Sequence, residues 1–263
     1  MNCLKEIARE VYSAVKSLLG TSESKKILGK GFCGDQTLLI DEVAENTIIN
    51  YLKRQKISCT FIGEEHGVQK FGKKPAFYLI SDAVDGTTNA TRGISFVSTS
   101  LAVSLTDDLG RIESALVMNL CTGEMYEAER GKGSKYKGEK IKTSETAFLK
   151  DAVFGIDISH APNSVEPTVP FLKIVKSVRS FGSASLEICH VASGRFDAYV
   201  DLRGMLRPLD IAAALLIVKE AGGIVLQPDG EGFDGYPLSE MNRFSVVASA
   251  NENLHREIMS VIS

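Results

Sequence analysis

The sequence predicts an α+β half over residues 1–142 followed by an α/β half over residues 143–263. Three observations carry this. Two short apolar runs each end in acids: Cys59-Thr60-Phe61-Ile62 before Gly63-Glu64-Glu65, and Phe77-Tyr78-Leu79-Ile80 before Ser81-Asp82. From 96 to 142, apolar stretches are separated by turn residues, the pattern of an antiparallel meander. Beyond 142, strand-like and helix-like segments alternate, the pattern of crossover connections.

The elements follow in order. Leu4, Ile7, Ala8, Val11, Tyr12, Val15 and Leu18 recur at helical spacing, and Gly20 ends that helix. A glycine-rich connection over 29–34 leads to a second helix over 41–54, with Val43, Thr47, Ile48, Tyr51 and Leu52 inward. The two apolar runs, 59–62 and 77–80, read as strands that deliver polar groups at their carboxyl ends. Strands 96–105 and 112–120 flank the loop Thr106-Asp107-Asp108-Leu109-Gly110, and 123–128 with 131–142 extend the meander. The second half reads as strand 152–156, helix 170–177, strand 178–181, helix 183–192 and strand 197–200. Helix 208–221 then closes on Gly222-Gly223, and strands 224–226 and 244–249 precede a last helix capped by Asn251. With no flexible linker near Thr143, the two halves are expected to pack tightly.

Composition bounds the function. At 44% hydrophobic and 24% charged residues, the 263-residue chain has the balance of an ordinary soluble globular protein. A net charge of −3 argues against a broad nucleic-acid surface, yet leaves room for a small phosphorylated ligand, which needs only local cations. Charges at Lys5, Glu6, Arg9, Glu10 and Lys16 break any apolar leader, and no run is long enough for a membrane span. Five scattered cysteines without CxxC spacing read as reduced thiols of a cytoplasmic protein, and no zinc site is expected. His160, His190 and His255 lack ligand spacing, and His66 reads as a loop histidine beside an acid pair. The run Gly29-x-Gly31-x-x-Gly34 lacks the βαβ context of a dinucleotide site.

The densest chemical signal is Asp82-Ala83-Val84-Asp85-Gly86-Thr87-Thr88-Asn89. Two carboxylates three apart at a strand end can face one hard cation, with the Val84 carbonyl between them. Gly86-Thr87-Thr88 resembles a helix start whose free N–H groups suit a phosphate oxygen. An ordinary Asp-rich turn is the plainer reading of the same residues. Glu64-Glu65 and Asp210, at the start of an apolar helix, raise the metal reading; Asp210 taken alone also reads as a helix N-terminal acid.

The order of these motifs resembles the magnesium-dependent, lithium-sensitive phosphatase superfamily, in its inositol monophosphatase and archaeal-type fructose-1,6-bisphosphatase branch. The first signature of that family, Asp-Pro-(Ile/Leu)-Asp-Gly-Thr-x-Asn, is matched by 82–89 with Ala83 in place of proline. The second, Trp-Asp-x-Ala-Ala followed by Glu-Ala-Gly-Gly, is matched by 209–213 and 220–223 with Leu209 in place of tryptophan. Gly63-Glu64-Glu65 and the upstream Asp41 also match. The resemblance implies a layered αβαβα sandwich of the sugar-phosphatase type. It implies two or three Mg2+ ions, for which Mn2+ can substitute, held by Glu64, Asp82, the Val84 carbonyl, Asp85 and Asp210. Thr87, hydrogen-bonded to Asp41, would deprotonate a water, with Glu64 as the third catalytic residue. Gly86, Thr87 and Thr88 would meet the phosphate, and Ser183 and Ala184 the sugar hydroxyls. A homodimer and a small phosphorylated polyol or sugar partner are implied, with neither nucleic acid nor membrane.

Arg179 and Arg203 bear on the substrate. The resemblance implies an acid at the position of Arg203 in strictly inositol-directed enzymes, so a guanidinium there suits a second phosphate. A pair with neighbouring Asp201 is the plainer alternative. The expected reaction is hydrolysis of inositol-1-phosphate, fructose-1,6-bisphosphate or both. A 3′-phosphoadenosine 5′-phosphate nucleotidase and a non-catalytic regulatory protein on the same fold are the competing readings; the latter should have lost some of these acids.

Overall fold

A computed structural model describes residues 1–160, 162 and 165–262. In chain order the elements are α1 (Asn2–Val15), β1 (Ile27–Lys30), β2 (Gln36–Leu38), α2 (Leu39–Arg54), β3 (Thr60–Gly63), β4 (Gly67–Lys70), β5 (Tyr78–Asp85) and α3 (Thr87–Arg92). They continue with β6 (Ser98–Ser104), β7 (Ile112–Asn119), β8 (Met125–Glu129), β9 (Ser134–Tyr136), β10 (Glu139–Lys140), β11 (Val153–Ile156) and α4 (Val165–Ile174). The chain closes with β12 (Ser177–Arg179), α5 (Ala184–Ala192), β13 (Ala198–Leu206), α6 (Pro208–Glu220), β14 (Ile224–Leu226), β15 (Phe244–Ser249) and α7 (Glu252–Ile262).

Eight strands form one sheet in the order β10-β9-β8-β7-β6-β5-β3-β4, and five form a second in the order β12-β11-β13-β15-β14. The first is antiparallel except where β3 runs parallel to β5. In the second, β11 is parallel to both neighbours and β15 antiparallel to both of its own.

Five layers result because three apolar cores must be closed. Helix α6 is apolar all round, buried from Pro208 to Val218, so it lies between the sheets beside α5. Ile62 and Ile80 of the first sheet, Leu186 and Ile217 of the helices, and Val225 and Val246 of the second sheet share that core. The opposite face of the first sheet, including Phe61, Leu79 and Leu101, packs under α1 and α2. Phe154 and Val247 of the second sheet pack under Phe171 of α4 and Leu254 of α7. This is the αβαβα sandwich. Leu79 and Ile80 of β5, and Leu101 and Ala102 of β6, enter different cores, as the two-residue pleat requires.

Several elements differ from the sequence expectation, among them β4, which no sequence signal marks. Residues 29–34 do not form a simple connection; they include the end of β1 and the turn of a hairpin with β2. Strand β5 continues past Ile80 to Asp85 because β6 pairs with it, opposing Asp82 to Ser100 and Asp85 to Ser98. Strand β13 likewise runs past Val200 to Leu206, along β15. Helix α4 begins before Pro170, which lies inside it, and β12 takes over at Ser177.

Candidate active site

The carboxyl ends of β3 and β5, the start of α6 and the turn before α5 enclose one cavity of about 230 Å3. Of the sequence-predicted residues, Glu64, Asp82, Val84, Asp85, Gly86 and Thr87 line it from the first half, and Ala184, Arg203 and Asp210 from the second. Asp41 reaches it through Thr87, whose Oγ1 lies 3.0 Å from Asp41 Oδ1 and 3.1 Å from the Val84 carbonyl. Ser183 stands behind the wall, bonded to Asp85. Thr88 is exposed and gives its carbonyl to Thr91.

Negative charge dominates one side. Asp82 is 3% exposed, and burial, then Glu64, Asp85 and Asp210, push its pKa well above the carboxylate range. Burial also raises Asp41 to about 7 against the hydrogen bond from Thr87. Glu64 rises to about 7 by burial, with Arg207 opposing. Arg207 is the cation at this point: Nη1 lies 2.5 Å from Glu64 Oε1 and Nη2 2.9 Å from Asp210 Oδ1. Asp210 Oδ2 additionally accepts from the Arg207 main-chain N–H at 2.6 Å, the cap that starts α6.

The facing wall is built of donors. Asp85 accepts from Ser183 Oγ at 2.8 Å, Ser185 N at 2.8 Å, Ser185 Oγ at 2.6 Å and Ala184 N at 3.2 Å. Burial still raises its pKa over these bonds. Two buried glutamates hold the turns that carry the site. Glu187 on α5 accepts from Phe181 N at 3.0 Å and Gly182 N at 2.9 Å, a turn in which Gly182 has φ +79°. Glu45 on α2 accepts from Glu65 N at 3.0 Å and His66 N at 2.8 Å. A Cβ at Gly63 would come within 2.5 Å of that Glu45 carboxyl, so the close approach requires glycine. Sequence reading missed Glu45, Glu187 and Arg207, since a lone charged residue in a helix or loop carries no signal of what it will face.

The two arginines expected at the substrate side stand in different surroundings. Arg203 lines the cavity, but Asp201 binds it at 3.0 Å (Nε–Oδ1) and 2.6 Å (Nη2–Oδ2), and Asp157 takes Nη1 at 3.0 Å. The pair with Asp201 leaves no unshared charge for a phosphate. Arg179 is exposed and donates to Ser177 and Val178, away from the cavity. The donor set suits a hard divalent cation, being all carboxylate and carbonyl oxygen around a crowded buried acid. Among the described residues, however, no three acids form a ready-made metal cluster. The physical reason is visible: Arg207 draws Glu64 and Asp210 to itself, and the serine wall draws Asp85.

The sequence profile of the inositol monophosphatase family matches residues 1–263. The chain belongs to this family. It is a phosphoric monoester hydrolase, as its full-length relatives are. The fructose-1,6-bisphosphatase/inositol-1-monophosphatase of Methanothermobacter thermautotrophicus is 35% identical over 265 residues, covering 97% of this chain and 94% of that one. The bifunctional NADP phosphatase/NAD kinase of Methanococcus maripaludis is 34% identical over 278 residues and 97% of this chain, which spans only 48% of that protein. The extragenic suppressor protein suhB of Bartonella henselae superposes with a TM-score of 0.87 at 27% identity, over 100% of this chain and 98% of that one. The layered fold of the family is therefore the fold of this chain. No helix among the described residues is long and apolar enough to cross a membrane.

Proposed function

We propose that the chain is a magnesium-dependent phosphomonoesterase acting on inositol-1-phosphate, fructose-1,6-bisphosphate or both. The observation that carries the reading is the contact of Thr87 Oγ1 with Asp41 Oδ1 at 3.0 Å, beside a cavity lined by Glu64, Asp82, Asp85 and Asp210. Glu64, Asp82, the Val84 carbonyl, Asp85 and Asp210 would hold two or three Mg2+ ions, with Mn2+ as a substitute. Bound there, the cations would supply an acidified water and charge stabilisation on the phosphoryl oxygens. The residues of the chain do the rest. A hydroxyl has one proton, so Thr87 donates either to Asp41 or to the Val84 carbonyl. With Asp41 ionised it donates to Asp41, so its oxygen can take the proton of a water in the cavity as its own proton passes to the Asp41 carboxylate. Gly86 and Thr87 would face the phosphate, and Ala184 with Ser183 behind it would face the hydroxyls of the polyol.

The division at residues 142 and 143, a homodimer, lithium sensitivity and a cytoplasmic location belong to the same proposal. The name of the Methanococcus maripaludis relative favours a second reading, a nucleotide monoester such as NADP or 3′-phosphoadenosine 5′-phosphate. Retention of Asp41, Glu64, Asp82, Asp85, Thr87 and Asp210 speaks against a non-catalytic protein. The deciding experiment is a phosphate-release panel of inositol-1-phosphate, fructose-1,6-bisphosphate, NADP and 3′-phosphoadenosine 5′-phosphate, with magnesium, with chelator and with lithium. Release from the first two with magnesium is expected; release only from the nucleotides would transfer the assignment to the second reading.

A further inference from the structure

Three guanidinium groups line the cavity, and they are not equivalent. Arg207 is paired with Glu64 and Asp210, and Arg203 with Asp157 and Asp201. Arg243 differs. It is exposed, and its Nη1 donates to the Met205 carbonyl at 2.7 Å. Among the described residues no acid pairs with it.

The backbone explains the difference. The ladder between β13 and β15 breaks after Asp201 and resumes at Leu206, opposite Phe244. Within the break, the main chain at Arg203 turns back so that its N–H reaches Asp201 at 2.9 Å, which directs the Arg203 side chain onto the same carboxylate. The Met205 carbonyl is left to Arg243, the residue just before β15. A neutral carbonyl orients a guanidinium without cancelling its charge, so Arg243 keeps a full positive charge and most of its donors.

We propose that Arg243 is a specificity-determining residue that takes the second anionic phosphoryl group of a substrate, the group that is not cleaved. The inference rests on the phosphatase reading above. A second anion entering this cavity meets Asp35, Glu64, Asp82, Asp85, Asp157 and Asp210. With Glu64, Asp82, Asp85 and Asp210 engaged by the cations of the proposed function, Asp35 and Asp157 still repel it, and Arg203 and Arg207 already share their charge with acids. Only a cation without an acidic partner can tip the balance, and the planar fork of arginine matches phosphate oxygens two at a time. The ligand chemistry is a second phosphoryl anion, present in both a sugar bisphosphate and the pyrophosphate of a phosphorylated dinucleotide.

The test compares wild type, Arg243→Gln and Arg243→Lys by kcat/KM on fructose-1,6-bisphosphate, NADP and inositol-1-phosphate. Arg243→Gln is expected to lower the ratio of a two-anion substrate to inositol-1-phosphate about tenfold, through KM rather than kcat, the scale of one charge-assisted contact. Arg243→Lys should recover part of that loss. Whether the ratio falls for the sugar, the dinucleotide or both identifies the source of the anion. A ratio that stays within about twofold of wild type, or an equal loss on all three substrates, overturns the proposal. If wild type releases phosphate from none of them, the phosphatase reading falls by itself. Calorimetric binding of fructose 6-phosphate then decides this one: an equal affinity in wild type and Arg243→Gln overturns it, and about tenfold weaker binding in the variant supports it.

Discussion

Asp82 and Asp85 leave one strand three residues apart, both in the cavity and both nearly cut off from solvent at 3% and 9% exposure. Their surroundings are opposite. Asp85 is enclosed by the Ser183 and Ser185 hydroxyls and the N–H groups that begin α5. Asp82 receives one main-chain N–H, from Val84 at 3.1 Å, and otherwise meets the charges of Glu64, Asp85 and Asp210, which the cation Arg207 offsets only in part. The chain satisfies Asp85 with its own donors and leaves Asp82 in an unbalanced field. Folding alone does not produce such imbalance; it is the pattern of a site arranged for a ligand that brings positive charge.

That contrast is broken or sharpened first by alanine at each position. Both variants should lose turnover by roughly a thousandfold or more, the scale of losing an electrostatic stabiliser of the transition state. Their metal-free stabilities should diverge. Asp85→Ala strands the Ser185 N–H and, among the described residues, leaves the Ser183 and Ser185 hydroxyls only Ser98 Oγ as a partner, which costs about 1–3 kcal/mol. Asp82→Ala removes a crowded, buried carboxylate for one hydrogen bond, so its melting temperature in chelator should equal or exceed wild type. Equal destabilisation by the two substitutions would show that the two acids are not in different fields.

The next prediction concerns pH. Burial lifts Asp41 to about 7, so below that pH it takes up a proton and can no longer receive one through Thr87. The value of kcat/KM should be level above about 7 and fall with decreasing pH below it. Asp41→Asn should cost about 10²–10⁴ in rate and abolish that limb. A limb that survives in the variant assigns the titration to Glu64, which burial also raises to about 7. The donor wall should contribute no such limb.

The layered fold was legible in the sequence because it rests on extended signals. Helix α6 is apolar on every side, and β6 and β7 carry the apolar stretches Leu101-Ala102-Val103 and Ala115-Leu116-Val117-Met118, so their burial between or beneath layers follows from composition. The acids at the ends of β3 and β5 were legible because they interrupt such runs. What escaped was set by pairing between distant segments. Strand β5 gains its last residues from β6, and the β1/β2 hairpin is short, with every residue of β1 exposed, so no periodicity marks it. The pairing of Arg203, the bridge made by Arg207 and the position of Arg243 depend on which carboxylates arrive from elsewhere, and single residues do not carry that information. Asp41 and Thr87 were matched in advance only because their motif could be compared with a family.

The smallest expected effect separates the wall from the glutamate behind it. Burial raises Glu187 from 4.5 to about 8, over the hydrogen bonds from Phe181 and Gly182. A carboxyl raised in the folded state contributes stability that is fully present below its unfolded pKa, near 4.5, and lost as pH rises through about 8. Among the described residues its Oε2 and the nearby Tyr199 hydroxyl are both buried without a partner, which makes a charge there costly. Glu187→Gln keeps a carbonyl to accept from Phe181 and Gly182 and cannot ionise. Wild type and variant should therefore melt within a few degrees of each other near pH 5, whereas near pH 9 wild type should fall further than the variant. A wild-type melting temperature that declines with pH no faster than that of Glu187→Gln would mean that Glu187 carries its charge in the folded protein. The wall would then hold a carboxylate at its back as well as at its face, and its difference from the Asp82 side would be one of hydrogen bonding alone.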